Sequence, residues 1–344
     1  MKFFKSSYFV LFLIGFSYLN IAQAEPVNHK ELKELKELKK LYIRPSKVPY
    51  LEDNVYSSEK EILGRMLFFD PRLSGSGMIS CSSCHNPSLG WSDGLQKGVG
   101  QSHKQLGRRS PSILNLAWTE KMMWDGRFKH LEGQALGPLS SPDEMNMDMS
   151  LLPKKLEGIN GYVKLFQNAF PGQPITNDQI AKALAIYERK IISGTAPFDK
   201  WIAGDEKAIT AEAKMGFIVF NKKANCAACH SGWRFTDDSF HDIGVKSEDI
   251  GRGKFLKIQS QQFAFKTPGL RNITSRPPYM HDGSESSIDS VIEFYNRGGD
   301  VIRESHSAMM KPLQLSNAEK QQVKVFLETL TSKDKSVDYP VLPR

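Results

Sequence analysis

The amino-acid sequence predicts a mainly α-helical fold in two halves connected by long loops, and three observations carry that prediction. Capped segments with apolar residues at helical spacing recur along the chain. Strand-like alternation is scarce, and the same five-residue cysteine pattern occurs once in each half. The chain has 344 residues, enough for about two domains.

Taken in order, Lys2 and Lys5 precede an apolar run from Tyr8 to Phe16, and Ala22-Gln23-Ala24 follows. This is the pattern of an export leader, with cleavage expected after Ala24 and the periplasm as destination. The run is shorter than the ~20 residues a membrane span needs, and no later segment is long and apolar enough to provide one. No stable membrane span is therefore expected once the leader is removed. From His29 to Leu41, Lys, Glu and Leu alternate, with Leu32, Leu35, Leu38 and Leu41 every third residue. A short solvated amphipathic helix is expected there, inside an N-terminal extension over residues 25–50. Ser58 and Glu61 form a capping-box pattern ahead of Ile62, Leu63, Met66 and Leu67. Asn177 or Asp178 opens a helix with Ile180, Ala183, Leu184, Tyr187 and Ile191 on one face. Ser287 caps a helix with Ile288, Val291, Ile292 and Tyr295 on one face, ended by Gly298 and Gly299. Ser316 and Glu319 cap a last helix bearing Val323, Phe326, Leu327 and Leu330. Loops rich in Gly, Ser and Pro lie between, notably Ser74 to Gly77 and Gly94 to Pro111. Gly, Pro and charges interrupt the pattern from Gly194 to Asp205. The first domain is accordingly expected over residues 51–198 and the second over 199–335.

The four cysteines all fall in Cys81-Ser82-Ser83-Cys84-His85 and Cys226-Ala227-Ala228-Cys229-His230. C-x-x-C-H is the spacing that attaches a c-type haem: the thiols add to the vinyl groups, and the histidine becomes an axial iron ligand. A zinc ribbon pairs C-x-x-C knuckles about 15–20 residues apart, whereas these lie in opposite halves and each brings its own histidine. A thioredoxin-like motif needs a strand-helix-strand pattern that is missing here, and structural disulfides give no reason for the histidines. The reading is two covalently bound c-type haems in two cytochrome c-like domains. Such cofactors replace much of an apolar core, which suits the long loops. The formal charge of +8 shrinks once Lys2 and Lys5 leave and haem propionates are added, so it does not imply nucleic acid as a partner.

The opposite faces of the haems decide the chemistry, and the stretch from Trp124 to Met145 bears on the first. It contains Trp124-Asp125-Gly126-Arg127, Gln134-Ala135-Leu136-Gly137-Pro138 and Pro142-Asp143-Glu144-Met145. With both haem motifs, Arg109-Ser110-Pro111-Ser112, Leu270-Arg271-Asn272 and Pro278-Tyr279-Met280-His281-Asp282-Gly283, the chain from about Glu59 to Leu330 resembles the bacterial dihaem cytochrome c peroxidase and MauG family. The resemblance implies that Trp124 couples the two haems. It also implies that Gln134, Pro138 and Glu144 furnish the free face of the first. Cleaving peroxide moves a proton from its inner to its outer oxygen, and a carboxylate within hydrogen-bond reach does this work. Gln134 cannot titrate and only orients. Without the resemblance, Glu144 would read as a solvated loop carboxylate.

For the second haem, the resemblance places an axial ligand fourteen residues after the histidine of the Tyr-x-His motif. Counting from His281 gives Tyr295, where ordinary dihaem peroxidases have methionine and MauG-like members have tyrosine. The residue-level alternative is a core tyrosine with its hydroxyl satisfied. A hard, anionic phenolate favours oxidised iron, and a soft thioether favours the reduced state. The expected enzyme therefore uses H2O2 at the first haem and oxidises a residue of a partner protein by way of the second. The alternatives are a peroxidase that takes electrons from a small cytochrome c or cupredoxin, and a non-catalytic dihaem electron carrier.

The match departs from the family in three places. Ala224 stands where a MauG-type tryptophan relays electrons two residues before the second C-x-x-C-H; nearby Trp233 is expected in the core. The family's calcium ion would meet Arg109, Arg276 and Pro278, and Arg109 offers only donors, so the calcium site is expected to be altered or lost. His103 lies near a loop histidine that ligates the first iron in some members; an open site is favoured, with His103 on the surface. His241 and His281 are expected to hydrogen-bond near the second haem, and His29, His130 and His306 to be solvated.

Overall fold

The computed structural model describes residues 29–334 and 336–344, and the expected leader lies outside them. Among the described residues the helices are α1 (His29–Lys40), α2 (Ser58–Phe69), α3 (Cys81–Cys84), α4 (Leu131–Ser140), α5 (Leu152–Glu157) and α6 (Asn160–Ala169), then α7 (Asn177–Arg189), α8 (Pro197–Ile202), α9 (Ala211–Asn221), α10 (Gly253–Leu256), α11 (Ile288–Arg297) and α12 (Asn317–Glu328). Two two-residue strands, β1 (Phe240–His241) and β2 (Phe265–Lys266), pair antiparallel. The chain divides into two units, residues 1–38 and 39–344. Among the described residues no helix is long and apolar enough to cross a membrane.

Caps set the helix starts, in two cases one residue earlier than expected. Ser57, not Ser58, opens α2: its backbone is extended and its hydroxyl accepts the Lys60 N–H, while the Ser58 hydroxyl turns to Glu59. Thr176, not Asn177 or Asp178, opens α7 and accepts the Gln179 N–H. Runs of neighbouring cap-forming residues leave the sequence ambiguous by one position. The capping boxes at Ser287 and Ser316 form as expected, and α11 ends on left-handed Gly298 and Gly299. Helix α8 occupies the stretch from Gly194 to Asp205, where an interruption was expected; Pro197 starts it at a position where its missing N–H costs nothing.

Two helix crossings organise the packing. Helix α2 meets α7 at Gly64, and α9 meets α12 at Gly216. A Cβ on Gly64 would sit 2.0 Å from the Ala183 carbonyl oxygen, and one on Gly216 would sit 1.9 Å from that of Gln322. In each case the aromatic residue one turn on, Tyr187 or Phe326, closes over the glycine. The first crossing is buried among Leu63, Leu67, Phe68, Ile180 and Leu184. The second is aromatic: Phe198 has ring centroids of Phe217, Phe235 and Phe326 within 5.3–5.7 Å.

The chain ends cross over. Tyr42, in the N-terminal extension, is fully buried against Phe198, Phe217 and Phe235, and its hydroxyl donates to Asn221 at 2.6 Å. The C-terminal residues instead cover the α2–α6 side. Gly161 N donates to the Arg344 carbonyl at 2.9 Å, Arg72 donates to that of Pro343 at 2.9 Å, and Tyr339 packs edge-on to Phe69.

Gly64→Val or Gly216→Val should force a crossing apart. Overpacking costs about 1–3 kcal/mol, and each kcal/mol lowers the melting temperature by about 1–2 °C for a chain this long. Gly133→Ala, with only Phe128 at 3.9 Å, should leave it unchanged or raise it. Thermal denaturation of the three variants checks this.

Candidate active site

Both cysteine motifs open onto one cavity of about 1370 Å³, larger than the roughly 300–1,000 Å³ of ordinary ligand sites. The backbones hold the two histidines alike. Helix α3 carries Cys81 and Cys84, and His85 N donates to the Cys81 carbonyl at 2.9 Å. A 3₁₀ turn carries Cys226, and His230 N donates to the Cys226 carbonyl at 2.8 Å. His85 Nδ1 lies 3.3 Å from the Trp91 carbonyl and His230 Nδ1 2.9 Å from that of Phe235. Those bonds fix the tautomer and leave each Nε2 for a metal. Burial lowers the pKa of both rings, so both stay neutral as iron requires. Burial also raises the Cys81 thiol above its ordinary value and pushes the Cys226 thiol up to about 12. These residues fit two haems.

The first motif faces the peroxide candidates. Gln134 and Pro138 share one face of α4 and line the cavity. Bonds from Met145 N to the Pro138 carbonyl (3.0 Å) and from Met147 N to that of Leu139 (2.7 Å) fold the following turn back, so half-buried Glu144 lines the same space. Burial raises the Glu144 pKa from its ordinary value, partly offset by a hydrogen bond from Ser141 and by Arg127. Gln134 contacts the Met123 sulfur. His103 is exposed and does not line the cavity.

Trp124 ties the two halves together. Its indole N–H donates to the Arg109 carbonyl at 2.8 Å, and its own carbonyl accepts the Lys266 N–H at 2.7 Å. At the second motif, Tyr295 lines the cavity beside Val291 and Ile292 on α11. Its hydroxyl has no hydrogen-bond partner among the described residues, unlike the satisfied core tyrosine of the alternative reading. Burial, with Cys226 and Cys229 near, raises its pKa above the ordinary value.

The remaining histidines divide. His241 pairs with Asp237 at 2.9 Å, which raises its pKa to about 10. His281 stacks on Phe265 at 3.6 Å, meets the Ser247 hydroxyl at 3.3 Å and is lowered to about 4 by burial. Both line the cavity. His130 is exposed, and the His29 side chain lies outside the described residues. His306 corrects the expectation of solvation: its Nε2 is buried without a partner, packed near Gly244. Trp233 is half-buried and stands edge-on to Trp118 at 4.8 Å, less enclosed than a core role implies. Ala224 is buried.

Sequence reasoning gave no role to several cavity residues. Arg108 joins Asp125 (2.7 Å) to Asp249 (3.0 Å), linking the two halves. Asp125 and Arg127 stood inside the quoted Trp-Asp-Gly-Arg stretch, the one available signal. Lys266 is lowered to about 8 by burial. Glu188, on the buried face of α7, lines the cavity near Cys81 and is raised to about 8 by burial.

A two-histidine cavity with a carboxylate beside the first motif and a tyrosine beside the second defines a dihaem oxidoreductase. Comparison narrows the class. Residues 58–207 match the family model described as di-haem cytochrome c peroxidase. The chain is 51% identical over 304 residues to the methylamine utilization protein MauG of Methylorubrum extorquens, covering 87% of this chain and 86% of that one. It is 33% identical to cytochrome c551 peroxidase of Pseudomonas aeruginosa, covering 87% and 86%. A solved MauG-like protein associated with microbial copper homeostasis superposes with a TM-score of 0.78 at 30% identity, over 85% of this chain and 94% of that one. The chain belongs to the dihaem cytochrome c peroxidase family that includes MauG, and is a haem-containing, peroxide-dependent oxidoreductase.

Glu188 yields a pH test. Its folded pKa of about 8 lies above the ordinary 4.5. The stability it contributes is therefore complete below 4.5 and is lost as pH rises through 8, with a slope of about 1.4 kcal/mol per pH unit between the two values. Glu188→Gln should flatten the fall in melting temperature between pH 5 and 8.5. Parallel curves for variant and wild type would show that Glu188 is not buried neutral.

Proposed function

We propose that this chain is a periplasmic MauG-type enzyme that uses H2O2 to oxidise a residue of a partner protein. The supporting observation is Tyr295, whose unpartnered hydroxyl faces the second half of the cavity. Cys81 and Cys84, and Cys226 and Cys229, attach c-type haems covalently, one to each expected domain (51–198 and 199–335). The bound haems supply redox-active iron that takes up peroxide and holds oxidising equivalents.

The chain's residues do the rest. His85 and His230 present neutral Nε2 atoms. Glu144 accepts the proton of the inner peroxide oxygen and returns it to the outer one, which leaves as water. Gln134 orients, and Pro138 narrows the space above. Trp124 carries oxidising equivalents between the halves. Tyr295 would hold the second iron as phenolate and favour its oxidised state; for this its proton would have to leave, against the burial that keeps the free phenol protonated. Two electrons from the partner residue, with two protons, complete the reduction of peroxide to two waters. The charge balance is supported by Arg109 and Lys266, which line the cavity and suit propionates.

Peroxide added to the purified oxidised protein, with and without reduced cytochrome c, tests the reading. A long-lived spectral change at both haems with slow cytochrome turnover is expected. Rapid cytochrome oxidation would make the chain a cytochrome peroxidase, and no reaction would make it a carrier. Glu144→Gln should slow the reaction by about 10²–10⁴-fold. The wild-type rate should fall as pH drops through the raised Glu144 pKa, because the proton-accepting form is lost; the Gln variant should lose that dependence. Tyr295→Met should speed turnover with cytochrome c; an unchanged spectrum of the second haem would remove Tyr295 from the iron.

A further inference from the structure

The calcium ion implied by the family does not fit the residues present. Arg276 is buried, and its guanidinium takes the oxygens that a cation would need. Nη2 donates to the carbonyls of Gly269 (3.0 Å) and Arg271 (2.9 Å), and Nε to that of Asn272 (3.2 Å). Arg109, also buried, donates from Nη2 to the Arg276 carbonyl at 2.8 Å. A calcium ion takes six to eight oxygens at about 2.3–2.6 Å; here the converging carbonyls already serve two guanidinium groups. Neither guanidinium makes a close ion pair among the described residues, and Asp93 is the one carboxylate that acts on Arg109, so a divalent cation would meet two like charges there. Burial, with Arg109 beside it, lowers Arg276 to about 9, which leaves it charged at neutral pH. The space is full as well: a Cβ on left-handed Gly90 would lie 2.6 Å from Arg276 Cγ.

The same two arginines grip the link between the halves. The Arg109 carbonyl accepts the Trp124 indole N–H, and Arg109 N donates to the His281 carbonyl at 2.8 Å. Arg109 thus joins three segments, namely the Arg276 loop, the Trp124 turn and the His281 segment.

We infer that Arg276, acting through Arg109, is a built-in cation that replaces the bound metal and positions Trp124, so that transfer between the two haem sites is independent of calcium. This rests on the proposed role of Trp124. Arg276 is a positioning residue; it touches no substrate.

The holoprotein tests the metal clause directly. After incubation with calcium and gel filtration, elemental analysis should find far less than one calcium per chain. EGTA should change neither the melting temperature nor the rate at which a peroxide-induced change reaches the second haem. One tightly held calcium per chain, or a loss of either property in EGTA, overturns the inference. Arg276→Met should slow that transfer roughly ten- to a hundredfold, the scale of an ångström-level misplacement, while peroxide consumption at the first haem is preserved. Arg276→Lys should restore part of it. In a Trp124→Phe background, Arg276→Met should add nothing further. Equal losses in both backgrounds, or wild-type transfer in Arg276→Met, would show that Arg276 does not act through Trp124. If Arg276→Met fails to fold, the calcium measurements still decide the metal clause. Absence of any peroxide reaction in the wild type would instead sink the functional reading and leave the metal result standing.

Discussion

An imidazole can serve iron only when it is neutral, has one nitrogen free and cannot rotate. His85 and His230 meet all three conditions in the same way. A backbone carbonyl from the following loop, Trp91 or Phe235, holds Nδ1, and burial keeps the ring uncharged. The rest of the molecule follows from that need. Long loops must return to cover each ring, which leaves few residues for regular structure. The helices that remain must pack closely, and the glycine crossings at Gly64 and Gly216 let them do so. The large cavity is the complement: a fold with this little packed interior between its halves is completed by what the cysteines and histidines hold.

The two halves share a plan and differ in their furnishings. Beside the first motif lie a carboxyl group and a side-chain amide, Glu144 and Gln134. Beside the second lies Tyr295, with aromatic and aliphatic neighbours. Between them runs a seam of arginines: Arg108 bridges Asp125 and Asp249, while Arg109 and Arg276 have only carbonyl partners and Arg109 Nε is buried with none. Buried cations without carboxylates are costly, and a cofactor carrying acidic propionates is the kind of neighbour that lowers that cost.

Much of this was legible in the sequence because the signals are local. Cysteine-histidine spacing is a five-residue pattern, and the caps at Ser287 and Ser316 are four-residue patterns. The Tyr295 position followed from the family resemblance, by a count from His281. Even the errors at Ser57 and Thr176 were single-residue slips between adjacent cap formers. What escaped depends on contacts distant in the chain. Nothing in the sequence says that Gly64 faces the Ala183 carbonyl, that Glu188 turns inward on α7, or that His306 is buried against Gly244. Arg276 showed the limit most clearly: its sign of charge argued against a metal, but its occupation of three carbonyls in its own loop could be seen only in three dimensions.

The crossing of the chain ends has a consequence for how the protein is made. Tyr42, which leaves the ribosome before either cysteine motif, completes the aromatic core built by Phe198, Phe217 and Phe235 far downstream. Tyr339 and Arg344, made after both cysteine motifs, close over Phe69 and Gly161 in the half made first. Each half is thus closed by a segment from the other end of the sequence, so the order of synthesis does not set the order of folding.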